Sequence, residues 1–392
     1  RASQKSAACS FDVLEPKGTK WHLYKYGAIA GNYLLMMFYT TIAGWMILYF
    51  VKMATGQFDG LKFRSGRGGL QSYARTAGPD DGIYGDRCFA LLRHLCKRSS
   101  ERCGAYHKSD DGMSALLMVV LAVRSVLLPG GQEGLKFYLY PDFGKVKEAG
   151  IGEVVYAAMG QAFFTLSIGI GALAIFGSYI GKERALTGEA VSICVLDTFV
   201  ALMSGLIIFP SCFAYNVQPD SGPSLIFITL PNIFNHIPLG RLWGSLFFIF
   251  MSFAAFSTIL AVFENIISCG MELTGWSRKK SSLINAIAII LLSLPCVLGY
   301  NVWSWSGFDV FGGAVLDFED FLVSNLLLPL GSLVYLLFCV SKRGWGWENF
   351  TKEANTGKGM KIRKWMRGYI TYILPLIILF IFFFGLYDKF FA

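Results

Sequence analysis

The sequence contains few charged residues and few histidines, and it lacks the short motifs of common enzyme classes. Only 16% of its 392 residues are charged, whereas 54% are hydrophobic. The four histidines do not occur at ligand spacing, and neither a Gly-x-Ser-x-Gly elbow nor a phosphate-binding loop is present. This composition excludes an ordinary soluble globular protein, argues against an enzyme, and fits an integral membrane protein.

The cysteines and the net charge exclude two further classes of protein. The nine cysteines are scattered without a Cys-x-x-Cys pair, so we predict neither a disulfide framework nor a zinc site. In a soluble chain, a formal charge of +9 would indicate a nucleic-acid partner. Here the basic residues are concentrated in a few connecting loops, which is a signal of membrane topology, and we expect no nucleic-acid partner.

Eight long apolar segments predict a multi-pass, all-α membrane protein. Most approach the roughly 20 residues that cross a bilayer as a helix. Lys and Arg are abundant in loops 181–189, 269–281 and 342–366 and scarce in the loops that alternate with them. The basic loops are therefore predicted to be cytoplasmic. The protein is predicted to lie in the lipid bilayer of the plasma membrane. The apolar segments cover residues 27–51, 113–130, 154–180, 190–214, 239–268, 282–302, 321–341 and 367–388.

Residues 61–112 break this pattern. They are rich in Lys and Arg and contain no run that can cross a membrane, although the loop charges require one inward span between residues 52 and 112. A frame-shifted coding sequence is our hypothesis for this segment. Because the chain begins at Arg1 rather than at Met, we also expect an N-terminally truncated fragment.

Small and hydroxyl residues weaken the middle of the apolar segment 154–180. Gly169 and Gly171 each destabilise a helix by about 1 kcal/mol, and the hydroxyls of Thr165 and Ser167 can bond the freed backbone groups. A helix broken at membrane depth is typical of transporter binding sites, where freed carbonyls hold a cation. Close helix packing through small residues is an equally weighted alternative.

Polar residues also lie deep in two other apolar segments. Asp197 is expected to be an ion ligand, with a protonated, hydrogen-bonded structural carboxyl as the alternative. The adjacent hydroxyls of Ser257 and Thr258 either face a site or bond back to carbonyls of their own helix. Glu264 and Asn265 follow, and they belong either to a cation path or to hydrogen bonds between helices.

These polar groups match the ligand preference of a hard monovalent cation. Na⁺ is held by carboxylate, hydroxyl and carbonyl oxygens. We therefore predict a sodium site from the carbonyls freed at the glycine break together with Thr165, Asp197, Ser257 and Thr258.

Two kinds of interruption are expected outside this site. Pro295, Pro329 and Pro375 lie inside the last three apolar segments and predict kinks there. The weakly apolar stretch Leu225–Leu230 lies in a loop predicted to be external, where it is expected to form a short lid helix.

Four motifs, in the right order, resemble the neurotransmitter:sodium symporter family in its bacterial branch of sodium-dependent amino acid transporters. They are the runs Asn32–Tyr39, Gly160–Gly169, Ser277–Lys279 and Leu316–Asp320, and the resemblance covers residues 1–60 and 113–392. It implies an inverted-repeat transporter fold with discontinuous helices that bind a small amino acid and two Na⁺. By this resemblance the first two helices of the fold are absent, and helices three and five to eleven are recognisable. Residues 1–26 would be a cytoplasmic loop, and residues 27–60 would be the third transmembrane helix with an external loop. Residues 61–112 would be an aberrant segment that replaces the fourth helix, and residues 113–392 would be helices five to eleven.

The resemblance also implies a role for individual residues. An aromatic lid and an apolar pocket would bind the substrate, and Thr165 and Thr258 would lie near the substrate as well. The residues expected to bind substrate are Leu35, Tyr39, Phe164, Thr165, Ser167, Ile170, Thr258 and Val262. The first sodium site would use Thr165 and Asp197, and the second would use Ala254 through its carbonyl, Ser257 and Thr258. The gates would be formed by Gln161 and Asp320 on the outer side and by Tyr179 and Glu272 on the cytoplasmic side, with Arg partners in the absent N-terminal part.

The activity implied by the resemblance is sodium-coupled symport of a neutral, hydrophobic amino acid by alternating access, without an organic cofactor. Position 197 is Asp where many relatives have Asn, and position 201 is Ala where chloride-dependent relatives have Ser, so we expect that chloride is not required. The alternatives are a non-transporting sensor or structural protein on the same fold, a channel, and an inactive fragment or pseudogene product.

Overall fold

The computed structural model of the protein describes residues 1–58, 107–215, 223, 225–300, 303 and 314–391. In its first half the helices are α1 (Ala7–Leu14), α2 (Tyr24–Ala54), α3 (His107–Val126), α4 (Gly131–Leu139), α5 (Phe143–Ala149), α6 (Ile151–Thr165), α7 (Ala172–Tyr179) and α8 (Leu186–Ala214). In the second half they are α9 (Leu230–His236), α10 (Gly240–Thr274), α11 (Arg278–Tyr300), α12 (Val315–Phe321), α13 (Leu328–Val340), α14 (Trp347–Ala354) and α15 (Leu374–Phe391). The described residues form no β-strand.

The long helices are apolar around most of their circumference. Inside a bilayer a helix satisfies all its own backbone hydrogen bonds, so sequences of this kind form helices rather than open sheets. Among the described residues, the segments long and apolar enough to cross a membrane are Trp21–Ala54, Leu186–Ala214, Gly240–Thr274, Arg278–Gly299, Val315–Val340 and Met366–Phe391. The predicted segment 154–180 is not among them because it is divided into α6 and α7.

The core of the bundle is the packing of α2 against α10. Both helices bury residues on several faces, and α2 also contacts α11, α12 and α13. By contrast, α8 and α15 leave large apolar side chains such as Leu196 and Phe383 exposed. Exposed apolar faces on membrane-length helices are suited to contact with lipid.

The prolines in two of the spans follow π-helical turns. Pro329 follows the π-helix Leu322–Leu327, and Pro375 follows the π-helix Tyr369–Ile373. Proline lacks an N–H and its ring collides with the carbonyl one turn earlier, and the extra residue of a π turn gives the ring room. Pro295 lies inside α11, so all the predicted interruptions fall within helical segments.

Two other expectations have different outcomes. The predicted helix is present as a π-helix at Leu225–Thr229 that continues into α9, and its side chains at Phe227 and Ile228 are buried; its role as a lid stays a prediction. The frame-shift hypothesis for residues 61–112 falls almost entirely outside the described residues, of which only the first turns of α3 overlap it.

Candidate functional site

The predicted break in the apolar segment 154–180 is present. Helix α6 ends at Thr165 and α7 begins at Ala172, with an unwound stretch between them. In this stretch Ser167, Gly169 and Gly171 have positive φ angles of 48°, 102° and 78°. Such angles are natural for glycine and costly for other residues, so the two glycines make the break possible and Ser167 is held in a strained conformation.

Gly169 is needed for space as well as for its backbone angle. A Cβ atom added there would lie 2.3 Å from the carbonyl oxygen of Leu328 at the start of α13. We expect Gly169→Ala to lower the free energy of unfolding by about 1 to 3 kcal/mol, because both the strained φ and the collision oppose the native break. The apparent melting temperature of the purified protein measures this loss.

Gly160→Ala is the matched control for that variant. Gly160 lies earlier in the chain, inside α6, where an added Cβ has no neighbour within 4 Å. Alanine favours a helix by about 1 kcal/mol over glycine, so Gly160→Ala should leave the melting temperature unchanged or raise it. Equal melting temperatures for the two variants would contradict the requirement for glycine at 169.

Side chains of α2 bind the carbonyls that the break releases. The Tyr24 hydroxyl donates to the Gly169 carbonyl at 2.5 Å, and the Asn32 side-chain amide donates to the Ile170 carbonyl at 2.7 Å. Asn32 also donates to the carbonyl of Ala28 at 2.6 Å. These carbonyls were expected to be available for Na⁺, but the structure gives them protein donors instead, which keep the unwound backbone in place without water.

A second asparagine completes this network. The Asn265 side-chain amide, on α10, donates to the Asn32 side-chain oxygen at 3.1 Å. Asn32 is 2% exposed and Asn265 is fully buried. Asn265 was expected to belong either to a cation path or to hydrogen bonds between helices, and the structure shows a hydrogen bond between helices. This bond connects the break to α10, the helix that carries Ser257 and Thr258.

Glu264 also takes part in a pairing and not in a cation path. Its carboxylate accepts two hydrogen bonds from the Arg278 guanidinium, at 2.9 Å and 2.5 Å. This two-point ion pair joins the last third of α10 to the start of α11. The cation-path interpretation of Glu264 receives no support from this geometry.

The residues expected at the first sodium site are in direct contact. Thr165 is the last residue of α6, and its hydroxyl donates to the Asp197 carboxylate of α8 at 2.8 Å. The unwound stretch therefore begins where a carboxylate is available. One carboxylate and one hydroxyl at this separation fit the oxygen ligands of a hard cation.

The residues expected at the second sodium site lie together on α10. The Ser257 hydroxyl donates to the Ala254 carbonyl at 2.8 Å, which is the back-bonding alternative. Rotation of this hydroxyl would turn its lone pairs outward, so the bond does not prevent cation binding. The Thr258 side chain lies near the Tyr39 hydroxyl of α2.

The residues expected to line the substrate pocket lie on α2, on α10 and around the break. Leu35, Ile170 and Val262 are buried members of one hydrophobic cluster. Tyr39 and Phe164 are partly buried and pack against that cluster. The structure therefore brings these side chains together in a packed apolar cluster next to the polar break, and their role in binding substrate stays a prediction.

The residues expected at the cytoplasmic gate lie on α7 and α10. The Glu272 carboxylate accepts hydrogen bonds from the Ser6 backbone N–H, at 3.1 and 3.2 Å, and from the Ser6 hydroxyl at 2.5 Å. Its partner in this structure is the start of α1, and its role in a gate stays a prediction. Tyr179 is 66% exposed at the end of α7 and forms no hydrogen bond with the described residues.

The contact between α1 and Glu272 also changes the chemistry of a cysteine. Burial and the nearby Glu272 carboxylate raise the pKa of the Cys9 thiol to about 11. The thiol therefore stays protonated at neutral pH and is a poor nucleophile.

The residues expected at the outer gate lie on separate helices. The Asp320 carboxylate, on α12, accepts a hydrogen bond from the Ser324 hydroxyl at 2.9 Å. Gln161 is exposed on α6. A further link between these regions, which the sequence did not indicate, is a hydrogen bond from the Asn325 amide to the Tyr156 hydroxyl.

An apolar helix that is broken next to a carboxylate–hydroxyl pair and a hydrophobic cluster, in a bundle of membrane-length helices, is typical of transporters of the discontinuous-helix class. Comparison with known proteins then gives the family. The model of the sodium:neurotransmitter symporter family matches residues 112–390, and the chain belongs to this family. The protein is thus a multi-pass membrane protein of a family of sodium-dependent transporters.

Similar proteins agree on this assignment. A sodium-dependent transporter of Bacillus subtilis, YhdH, is 33% identical over 340 residues, which cover 86% of this chain and 73% of the relative. One from Haemophilus influenzae is 30% identical over 371 residues, covering 92% and 78%. The crystal structure of MhsT in complex with L-phenylalanine superposes with a TM-score of 0.82 at 31% identity, covering 98% of this chain and 86% of MhsT. The predicted family and fold are confirmed.

Proposed function

We propose that the protein couples the inward sodium gradient to the uptake of a neutral, hydrophobic amino acid by alternating access. The observation that carries this proposal is the unwound stretch between α6 and α7, because it joins the Thr165–Asp197 pair to an apolar pocket. An ion and an organic substrate that bind at the same broken helix influence each other's affinity, which is the basis of coupling.

In this proposal Na⁺ binds at two places as a co-substrate. Thr165 and Asp197 supply oxygens at the first, and Ala254, Ser257 and Thr258 supply a carbonyl and two hydroxyls at the second. Each charge that moves through a potential of 100 mV contributes about 2.3 kcal/mol, so two Na⁺ can support a concentration ratio of roughly a thousandfold.

The amino acid would lie across the break. Leu35, Ile170 and Val262 would contact its side chain, and Tyr39 and Phe164 would cover it. A buried apolar surface of this kind favours a hydrophobic side chain without charge. The L-phenylalanine bound to MhsT supports an amino acid as the ligand of this fold.

Alternating access also requires a gate on each side of the membrane. Gln161 and Asp320 would close the outer side, and Tyr179 and Glu272 would close the cytoplasmic side. Because α1 holds Glu272 through Ser6, opening to the cytoplasm would require these hydrogen bonds to break.

The proposal is tested by uptake into proteoliposomes. We expect labelled L-phenylalanine or L-leucine to accumulate when Na⁺ is higher outside, and not when choline replaces Na⁺. Sodium-dependent binding without flux would favour a sensor, and a conductance that does not saturate with amino acid would favour a channel. Absence of both binding and flux would indicate an inactive chain.

Chloride independence is a separate prediction of the site. The fixed negative charge of Asp197 lies beside the first sodium site, and Ala201 offers no hydroxyl to a chloride ion. Replacing external chloride with gluconate should therefore change the initial rate of uptake by less than about twofold, since no chloride contributes to the charge balance. A collapse of uptake in gluconate would contradict this prediction.

A further inference from the structure

A buried carboxyl group near the first turn of α12 has no role in the proposed function. Glu319 is 3% exposed, and it precedes Asp320, which is expected at the outer gate. Within the part of the chain that the structure describes, neither oxygen of the Glu319 carboxyl group has a hydrogen-bond partner. A buried polar group without partners is rare in proteins, and an ionisable residue inside a membrane protein is functional by default.

Three helices surround this carboxyl group. From α11, the Cys296 thiol lies beside it, although not in hydrogen-bond geometry with either oxygen. From α2, the Thr41 hydroxyl lies near Cys296 and donates to the Met37 carbonyl at 3.3 Å. All three side chains are buried.

The titratable groups around Glu319 do not offer a positive charge. The α11 helix presents the Cys296 thiol, and α12 itself adds the Asp317 carboxyl group, which interacts with that thiol. The α2 helix presents the Thr41 hydroxyl near Cys296. Among the described residues, no Lys, Arg or His pairs with Glu319, so a negative charge there would not be neutralised.

The physical consequence is that this enclosed position favours the neutral acid form of Glu319. An ionised carboxylate in an apolar interior, without a counter-charge or hydrogen bonds, is far less stable than the neutral acid. Asp320 differs, because the Ser324 hydroxyl donates to it. Two adjacent acids on one helix therefore have different environments, and only Glu319 is enclosed without a donor.

We propose that Glu319 is a proton-binding site that responds to the movement of α12 relative to α2 and α11. It binds a proton from water when these helices close around it and returns the proton to water when α12 separates from them. Only an O–H bond forms and breaks. The proposal rests on alternating access for its consequence in transport, but the protonation itself does not depend on transport.

Infrared difference spectroscopy tests the protonation directly. We expect the purified protein at neutral pH to show the carbonyl-stretch band of a protonated carboxylic acid, and this band should be missing in Glu319→Gln. Glu153→Gln is the matched control, because Glu153 is exposed to solvent in the first turn of α6 and is not enclosed by other helices. A band that persists in Glu319→Gln would overturn the proposal.

A second measurement does not depend on any variant. Isotope labelling of glutamate alone in the unmodified protein should shift the band, whereas labelling of aspartate alone should not. If no protonated-glutamate band exists, Glu319 is ionised and the proposal fails, whether or not the variant folds.

Uptake as a function of external pH tests the link to movement. The closed arrangement requires a proton on Glu319. The initial rate of uptake should therefore fall as pH rises, by up to about tenfold per pH unit above the pH range in which Glu319 titrates. Glu319→Gln stays neutral and should have a flat profile, unlike Glu153→Gln. Identical profiles for all three proteins would overturn the coupling to α12. If no protein transports, the proposed function fails while the infrared result still decides the proton site.

Discussion

Asp197→Asn is expected to raise the sodium concentration needed for half-maximal uptake by roughly a hundredfold, which corresponds to about 2.7 kcal/mol. Asp197 is the carboxylate that accepts the Thr165 hydrogen bond at the end of the broken helix. Asparagine keeps the size and one carbonyl oxygen but removes the charge that would balance Na⁺. The sodium dependence of amino acid uptake in proteoliposomes measures the change.

Thr198→Val is the matched control for this variant. Thr198 is the next residue of α8, and its hydroxyl donates to the Cys194 carbonyl of its own helix at 2.7 Å. It has no contact with the broken helix among the interactions of the described residues, so its sodium dependence should match that of the unmodified protein. An unchanged sodium requirement in Asp197→Asn would remove Asp197 from the sodium site, and uptake that was lost equally in both variants would point to damage to α8.

Thr165→Val should have a smaller effect than Asp197→Asn. It removes one neutral oxygen ligand but leaves the carboxylate, and neutral ligands contribute less to cation binding than charged ones. We expect an increase of roughly tenfold in the half-maximal sodium concentration. A larger effect of Asp197→Asn than of Thr165→Val would indicate a cation site. If the two residues only formed a hydrogen bond with each other, both substitutions would remove that bond and have the same effect.

The helical spans and the break were predictable from local sequence. Apolar runs of bilayer length leave the backbone no alternative to helix, and the paired glycines at 169 and 171 mark the place where that rule is broken. The positive φ angle of Ser167 was not predictable, because a serine in an apolar run carries no signal of it. Its conformation is imposed by the neighbouring glycines.

The side chains that hydrogen-bond to the unwound stretch could not be predicted from local sequence. Asn32 was part of a recognised motif, but its spacing along α2 does not show that its amide meets the Ile170 carbonyl, 138 residues later. The same holds for Ser6 and Glu272, which meet through packing of α1 on α10. Periodicity predicts which element forms, whereas contacts between distant elements depend on how the whole bundle packs.

Asn32→Ala should destabilise the protein more than loss of an ordinary surface amide. The substitution leaves the Ile170 carbonyl without its donor and the Asn265 amide without its acceptor, both in a buried region. Unsatisfied buried groups cost about 1 to 3 kcal/mol each. We therefore expect a loss of about 2 to 5 kcal/mol in the free energy of unfolding, seen as a lower apparent melting temperature, together with weaker binding of amino acid.

Asn349→Ala controls for the loss of an asparagine from a helix. The Asn349 amide donates to the Trp345 carbonyl four residues earlier, as Asn32 does to Ala28, but Asn349 is exposed on α14. Its replacement should change stability by less than about 0.5 kcal/mol. Similar melting temperatures for the two variants would show that Asn32 does not hold the break.

The Tyr24 hydroxyl allows a more specific test of the same idea. Tyr24 donates to Gly169, one residue before the carbonyl that Asn32 binds. If both side chains restrain one unwound segment, Tyr24→Phe should cost less in the Asn32→Ala background than alone, because the segment is already released. Strict additivity of the two losses would instead mean that each bond acts on its own helix and that the broken segment is held by its glycines and by packing.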